Sequence, residues 1–182
     1  MTPVLFIGGI RSGKSGLALR WGALQGPRRL FVATCVPEDA QMRERVRRHQ
    51  EERGTAWACI EEALHPEEAL TRHLRESANP EDVVLLDCVS LWIAAMLSNG
   101  RSEDLVLKKV ESLAACMCAL DAAAALVTAE VGQCLAPVSE LGRRFQDTLG
   151  AANQILAKRC DTVALVHCGL PLTLKGRLPE IP

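Results

Sequence analysis

Short apolar runs alternate along this chain with longer stretches that mix apolar and charged residues. The apolar runs are rich in β-branched residues and show no polar alternation. Strands of this kind are covered on both faces, as in a parallel sheet. The pattern therefore predicts five buried strands: Val4–Ile7, Leu30–Ala33, Val83–Leu86, Ala125–Thr128 and Thr162–His167.

The stretches between these runs carry apolar residues at helical spacing. They predict six helices: Lys14–Leu24, Asp39–Glu52, Pro66–Ser77, Val89–Leu97, Glu103–Ala123 and Ser139–Lys158. Regular alternation of strands and helices predicts an α/β fold with a mostly parallel central sheet. The segment Asn99–Ser102 predicts a surface turn rather than a linker, so we expect one domain over residues 1–182.

The composition excludes several classes of partner. The formal net charge is -1, so no overall positive field attracts nucleic acid or an anionic membrane. Aromatic residues make up only 3%, which argues against a platform for stacking single-stranded bases. No apolar run approaches the length of a membrane span. Any phosphate binding must therefore be local, built from a loop and a few cations.

The eight cysteines do not follow the spacing of a metal site or a disulfide framework. None forms a Cys-x-x-Cys pair, and Cys116 and Cys118 fall on different sides of a predicted helix. The sequence shows no signal peptide, so the expected location is a reducing cytoplasm. We therefore expect the cysteines to be small buried hydrophobic residues.

The segment Gly8-Gly9-Ile10-Arg11-Ser12-Gly13-Lys14-Ser15 matches the phosphate-binding pattern G-x-x-x-x-G-K-[ST]. Its glycines allow the backbone to curl until successive N–H groups converge on phosphate oxygens. The following helix presents its positive N-terminal end to the same anion. Lys14 is expected to reach the β and γ phosphates, and the Ser15 hydroxyl to ligate Mg²⁺. The alternative is a glycine-rich turn with an incidental Lys-Ser pair.

Two carboxylates follow predicted strands. Asp87 closes Val83–Leu86 and can hold Mg²⁺ directly or through water; the alternative is a cap for the next helix. Glu130 follows Ala125–Thr128 and could accept a proton from a substrate hydroxyl. A solvated charge at the end of a strand is an equally good interpretation of Glu130.

The second predicted helix carries a candidate nucleophile within a highly charged stretch. Helical spacing puts Met42, Arg45, Val46 and His49 on one face, with Arg53 one turn further on. A neutral imidazole can attack an α-phosphate and form a phosphoramidate. A surface histidine is the alternative interpretation of His49.

Local signatures along nearly the whole chain follow the order found in one enzyme family. The matching residues are Gly8–Ser15, Phe31-Val32-Ala33-Thr34, Asp39, Met42, Arg45, His49, Arg53, Trp57, Leu85-Leu86-Asp87-Cys88, Val127-Thr128, Glu130-Val131-Gly132, Pro137 and Asn153-Gln154. Together they resemble the bifunctional adenosylcobinamide kinase / adenosylcobinamide-phosphate guanylyltransferase family of cobalamin biosynthesis.

The resemblance implies two reactions, with adenosylcobinamide and its phosphate as substrates. ATP or GTP would phosphorylate the aminopropanol hydroxyl of adenosylcobinamide. GMP would then move from GTP to that phosphate through a covalent histidine–GMP intermediate, and His49 matches the nucleophile. The resemblance also implies a RecA-like P-loop fold and a homotrimer in which neighbouring subunits help shape the site.

The same resemblance implies a set of nucleotide contacts beyond the phosphate loop. Glu61 suits guanine, because its carboxylate can accept from the paired N1–H and N2 donors that adenine lacks. Arg53 is expected to neutralise charge on the phosphates, with an exposed arginine at a helix end as the alternative. The implied contacts are Ala33, Thr34, Cys35, Gln50, Glu51, Glu52, Arg53, Glu61 and Asp87, and the implied metal ligands are Ser15 and Asp87.

Three positions depart from the family pattern. Ala129 replaces the usual asparagine, Gly54 the usual proline, and Cys134 the usual glycine. Because Ala129 adjoins Glu130, its departure bears on the kinase reaction more than on guanylyl transfer. Two other functions remain open at this stage: a simple small-molecule kinase without a covalent step, and a nucleotide-switched regulatory module.

Overall fold

Seven strands form one sheet in the computed structural model, which describes residues 3–35, 40–77 and 79–181. In chain order they are β1 (Val4–Gly8), β2 (Arg29–Ala33), β3 (Ala58–Glu61), β4 (Val83–Asp87), β5 (Ala123–Ala129), β6 (Thr162–His167) and β7 (Leu170–Lys175). Their spatial order is β3-β2-β4-β5-β1-β6-β7. All neighbours pair in parallel except β6 and β7, which are antiparallel. The predicted α/β fold with a mostly parallel sheet is confirmed.

Six α-helices connect these strands in the described part of the chain. They are α1 (Lys14–Ala23), α2 (Ala40–Arg53), α3 (Pro66–Glu76), α4 (Val89–Ser98), α5 (Glu103–Cys118) and α6 (Glu140–Arg159). Serine side chains cap two of them: Ser102 accepts from the Leu105 amide and Ser139 from the Gly142 amide. The predicted start of the second helix at Asp39 lies outside the described residues.

Strand β1 separates two apolar layers, one on each face of the sheet. Leu5 and Ile7 belong to the cluster that contains α4, α5 and α6, whereas Val4 and Phe6 face the cluster around α1. Trp92 and Phe6 are completely buried on opposite sides. Helices thus cover both faces of the sheet, which leaves the strand ends as the place for a polar site.

The prediction of helix as far as Ala123 is wrong, because α5 ends at Cys118 and Ala123 begins β5. Alanine has the highest helix propensity, so the run of alanines at this point indicates a helix. In the fold, Ala123 and Ala124 pair instead with Val83 and Val84 of β4. Sheet pairing with a distant segment overrides local propensity here.

The expectation that the cysteines are buried holds only in part. Cys88 and Cys160 are buried, and burial raises the pKa of their thiols to about 11 and about 12. Cys59, Cys134 and Cys168 are exposed, because Cys59 lies on the outermost strand and the other two lie in loops. The prediction of buried thiols is wrong for these three.

Candidate active site at the carboxyl edge of the sheet

The predicted phosphate-binding and metal-binding residues follow strands that end level with one another. Gly8 of β1 pairs with Ala129 of β5, and Ala33 of β2 pairs with Asp87 of β4. Because β5 lies between β1 and β4, Glu130, which directly follows β5, lies between the start of the phosphate loop and Asp87. Ligands of open parallel sheets bind at this carboxyl edge.

The phosphate loop, Gly8–Ser15, is curled as the sequence predicts. Lys14 is 7% exposed, and its ammonium donates to the Gly9 carbonyl across the loop at 3.0 Å. Gly13 has φ +90° and Arg11 φ +56°, so both occupy the left-handed region that an ordinary residue avoids. The first turn of α1 follows at once, and the N-terminal end of a helix favours a bound anion.

Backbone contacts hold the phosphate loop from both neighbouring strands. The Glu130 amide, beyond β5, donates to the Gly8 carbonyl at 3.1 Å, and the Gly169 amide, beyond β6, donates to the Ser12 carbonyl at 2.8 Å. A Cβ on Gly8 would lie 2.4 Å from a backbone oxygen of β6, and one on Gly13 would lie 3.1 Å from the Gly169 Cα. These glycines therefore permit close packing as well as curling. Gly169 was not among the predicted site residues, and its signal in the sequence is a glycine two residues after the predicted strand Thr162–His167.

The charges of Asp87 and Lys14 both affect the pKa of the buried Cys88 thiol. Burial is the main cause of the raised pKa of the Cys88 thiol, the Asp87 carboxylate adds to it, and the Lys14 ammonium opposes it. Asp87 is half-buried, and the peptide bond that joins it to Cys88 is cis. The structure thus brings a carboxylate and the loop lysine close to one buried position, as a phosphate and metal site requires.

Thr34 joins the ends of β2 and β4. Its hydroxyl accepts from the Cys88 amide at 2.9 Å and donates to the Cys88 carbonyl at 2.7 Å. Thr34 is 1% exposed, and its amide also donates to the Asp87 carbonyl at 3.4 Å. The side chain is therefore occupied in fixing Asp87, so any contact of Thr34 with nucleotide falls to its backbone.

Replacing Thr34 by valine is expected to lower the free energy of unfolding by about 1–3 kcal/mol. The change keeps the shape of the side chain but leaves the buried Cys88 amide and carbonyl without their hydroxyl partner. Urea unfolding measures the loss. Thr173→Val on the exposed strand β7 is the matched control and should stay within about 0.5 kcal/mol of the parent. Equal stability of the two variants contradicts the structural role of the hydroxyl.

The last turns of α2 are attached to β2 and β3. The Arg53 guanidinium carbon lies 4.2 Å from the centroid of the Phe31 ring, and Gln50 Nε2 donates to Glu61 Oε1 at 3.3 Å. His49 is half-buried and shares the helix face of Arg53, one turn earlier. Arg53 therefore lies on the sheet side of α2. The side chains of Met42, Arg45 and Glu52 lie outside the described set.

The position of His49 along the sheet is bounded by the rise per residue of helix α2 and of strand β2. One turn separates Arg53 from His49, a rise of about 6 Å toward the start of α2. Phe31 lies two residues before the strand end at Ala33, a distance of about 7 Å. Because α2 runs back across the sheet between parallel strands, its earlier residues lie nearer the carboxyl edge. Gln50, the residue after His49, also bonds to Glu61 at the carboxyl end of β3, so this part of α2 lies on the side of the sheet where the strands end.

The opposite face of α2 is charged and solvated. Arg47 pairs with Glu44 at 2.7 Å and also with Glu51, and Arg48 lies 3.8 Å from Glu44. All four side chains are about half exposed or more. The carboxylate of Glu51 therefore faces solvent, in contrast to the half-buried Arg53.

Beyond β5, hydrogen bonds fix the segment that carries Glu130. Glu130 Oε1 accepts from the Gly132 amide at 2.6 Å. Asn153 of α6 accepts from the Thr128 hydroxyl at 2.8 Å and donates to the Ala129 carbonyl at 3.0 Å. The end of β5 is therefore held rigidly beside the phosphate loop, with Glu130 half-buried at the edge.

Two of the departures from the family pattern have a visible conformation. Gly54 has φ +62°, which proline cannot adopt. The backbone after α2 therefore takes a different path from that of a chain with proline at this position. Cys134 is exposed, and its Sγ donates to the Val131 carbonyl at 2.9 Å. Neither position contacts the phosphate loop in the bonds described above.

A curled phosphate loop, a buried loop lysine and a strand-end carboxylate define a P-loop nucleotide-binding protein. Residues 4–174 match the family described as cobinamide kinase / cobinamide phosphate guanyltransferase, and the chain belongs to this family. The resemblance stated from the sequence is confirmed, and so is its assignment as an enzyme of this family.

Two characterised relatives match over almost their full lengths. The bifunctional adenosylcobalamin biosynthesis protein CobP of Pseudomonas aeruginosa is 36% identical over 172 residues, which cover 94% of this chain and 96% of that protein. The bifunctional adenosylcobalamin biosynthesis protein CobU of Escherichia coli K12 is 32% identical over 186 residues, covering 94% and 99%.

Among solved structures, an ATPase of the type III secretion system of pathogenic bacteria shares the fold. The TM-score is 0.57 at 11% sequence identity, over 94% of this chain and 56% of that one. This likeness concerns the architecture alone. Within the described residues, no helix is both long enough and apolar enough to cross a membrane.

Proposed function

We propose that this chain phosphorylates the aminopropanol hydroxyl of adenosylcobinamide with ATP or GTP and then transfers GMP from GTP to the new phosphate through His49. The observation that carries the proposal is the curled phosphate loop with its buried lysine, in a sheet whose edge strand β3 is bonded, through Glu61 and Gln50, to the part of α2 that contains His49. Membership of the family and the names of the two bifunctional relatives support the choice of substrates.

The phosphate loop is the proposed seat of the triphosphate in both reactions. Its amides and the Lys14 ammonium would bind the phosphate oxygens, with backbone contacts from Ala33, Thr34 and Cys35. Glu61 and Gln50, which already share a hydrogen bond, would select guanine by accepting from its N1–H and N2 groups. The carboxylate of Glu51 faces solvent, so a contact of Glu51 with nucleotide would use its backbone.

The residues present fit a magnesium ion beside the triphosphate. Ser15 supplies a hydroxyl in the first turn of α1, and Asp87 supplies a carboxylate at the end of β4. Oxygen ligands of this kind are those that Mg²⁺ prefers. When bound, the ion would neutralise charge on the phosphate oxygens during transfer.

Glu130 is the proposed base of the kinase reaction. The acceptor hydroxyl oxygen attacks the γ-phosphorus, the bond from that phosphorus to the bridging oxygen breaks, and the nucleoside diphosphate leaves. The proton of the hydroxyl passes to the Glu130 carboxylate, which lies directly after the strand next to the phosphate loop. The bond from the Gly132 amide holds this carboxylate in one orientation.

His49 is the proposed nucleophile of guanylyl transfer. Its unprotonated ring nitrogen attacks the α-phosphorus of GTP, a phosphorus–nitrogen bond forms, and pyrophosphate leaves. A phosphate oxygen of adenosylcobinamide phosphate then attacks the same phosphorus. The phosphorus–nitrogen bond breaks and neutral imidazole is restored, with adenosylcobinamide-GDP as the product.

Incubation with α-labelled GTP tests the covalent step. Label is expected to remain on the protein after denaturation, to survive alkali and to be lost in acid, because a phosphoramidate has this stability. Addition of adenosylcobinamide phosphate should discharge the label into product. A protein that phosphorylates adenosylcobinamide but retains no label is a simple kinase, and that outcome contradicts the histidine mechanism.

We also propose that the chain forms a single domain, assembles as a homotrimer and works in the cytoplasm. Several large apolar side chains are exposed, which supports association with further copies. They include Leu135 and Val138 in the loop after β5 and Leu170 and Leu172 on β7. Light scattering that returns a mass other than three chains contradicts the trimer.

A further inference from the structure

A stack of side chains connects the helix after the phosphate loop with the helix that carries His49. Trp57 packs so closely on α1 that a Cβ on Gly22 would lie 2.5 Å from its ring. The Trp57 ring meets Phe31 of β2 edge-on, with centroids 6.3 Å apart and planes at 88°. Arg53 of α2 lies over the same Phe31 ring at 4.2 Å. The contacts run without a break from α1 to the end of α2.

The guanidinium of Arg53 lies below the strand ends rather than at them. Phe31 pairs in register with Cys59 of β3, and the strand ends are two residues further, at Ala33 and Glu61. Although Cys59 is exposed as a residue, partial desolvation raises the pKa of its thiol, and the charge of Arg53 opposes that rise. The stacking contact puts the guanidinium beside the Phe31 ring, and Phe31 lies two residues, about 7 Å, before the carboxyl end of β2.

The stack fixes α2 at a point one turn from His49. Phe31 and Trp57 are 5% and 8% exposed, so the platform under Arg53 belongs to the core and moves little. A guanidinium over an aromatic face is attracted by the ring and is planar enough to stack on it. The Gln50–Glu61 bond adds a second tie, to β3, but it lies between exposed side chains.

We propose that Arg53 is a positioning residue, which through its stack on Phe31 holds α2 where the His49 imidazole can reach the α-phosphate of GTP. This inference rests on the proposed covalent mechanism and refines it. Arg53 acts on His49 through the helix and not as a phosphate ligand. A shift of α2 by a fraction of a helical turn would spoil attack by the imidazole while leaving the phosphate loop intact.

Three variants test the inference: Phe31→Leu, Arg53→Gln and the double variant. Phe31→Leu keeps an apolar side chain under an unchanged Arg53 but removes the aromatic face. Arg53→Gln changes a half-buried residue at a helix end and should fold normally, which circular dichroism checks for all variants. Arg48→Gln is the matched control, because Arg48 lies on the solvated face of α2.

The rate of label transfer from α-labelled GTP is measured at increasing GTP concentration. Both single variants are expected to lower the maximum rate about 10- to 100-fold. The GTP concentration at half-maximal rate should stay unchanged, as should phosphorylation of adenosylcobinamide with ATP. The double variant should be no slower than the slower single variant, because both changes remove one interaction. Arg48→Gln should match the parent.

Other outcomes overturn the inference in distinguishable ways. If Arg53→Gln raises the half-saturating GTP concentration at an unchanged maximum rate and Phe31→Leu has no effect, Arg53 is a phosphate ligand. If the two losses multiply in the double variant, the residues act independently and the stack does not position α2. If the unsubstituted protein takes no label, the covalent mechanism itself fails and the inference with it.

Discussion

Replacing His49 by asparagine is expected to abolish covalent capture of GMP and leave phosphorylation of adenosylcobinamide intact. The asparagine amide is not a nucleophile toward phosphorus, so the phosphoramidate cannot form. Removing the nucleophile from an enzyme with a covalent intermediate costs at least about 10³-fold in rate. The phosphate loop and Glu130 remain unaltered, so the kinase reaction keeps its groups.

The measurement follows both activities in one preparation. Label from α-labelled GTP reports the first step, and conversion of adenosylcobinamide with ATP reports the kinase reaction. His65→Asn is the matched control, because His65 is exposed and pairs with Glu68 near the start of α3. Retention of label by the His49 variant assigns the nucleophile elsewhere.

Replacing Glu130 by glutamine is expected to lower the kinase activity and leave guanylyl transfer intact, the reverse of the result expected for the His49 variant. The kinase rate should fall about 10²- to 10⁴-fold, because an amide cannot take the proton of the acceptor hydroxyl. Glutamine keeps an oxygen that can accept from the Gly132 amide, so the segment after β5 should retain its conformation. Guanylyl transfer to adenosylcobinamide phosphate supplied from outside needs no such base and should continue.

Two assays separate these effects. One supplies adenosylcobinamide with ATP, and the other supplies adenosylcobinamide phosphate with GTP. Glu111→Gln on the exposed face of α5 is the matched control. Loss of both activities in the Glu130 variant points to damage of the adjoining phosphate loop, and unchanged kinase activity excludes Glu130 as the base.

The parts of the fold that the sequence predicts are those with a local signal. The runs at Val4, Val83 and Thr162 are apolar on both faces because helices cover both faces of the sheet. Strands β3 and β7 carry no such signal. Both lie at the outer edges of the sheet, and most or all of their residues are exposed, so their pattern does not resemble a buried strand.

The features of the candidate site also divide into those with a local signal in the sequence and those without one. The phosphate loop and Asp87 could be identified because their functional groups lie in consecutive residues that directly follow the apolar run of a predicted strand. The stack of Arg53 on Phe31 and the bond from Gly169 to Ser12 could not, since each joins segments far apart in the chain. For Thr34 the resemblance implies a nucleotide contact but not which atoms make it, and only the fold shows that its hydroxyl is used to join β2 to β4.

The order of strands in the sheet also sets when this site can come into being. Strand β1 leaves the ribosome first, but both of its sheet neighbours, β5 and β6, belong to the last third of the chain. The bond that closes the far side of the phosphate loop comes from Gly169, later still. Pairing between strands so far apart in the chain is slow, because the entropy cost of closing the intervening segment comes before any contact that stabilises the pair. Strand β1 is thus made before the other strands and completed among the last, so nucleotide bound at the complete phosphate loop can stabilise the chain only after β6 and Gly169 have been made.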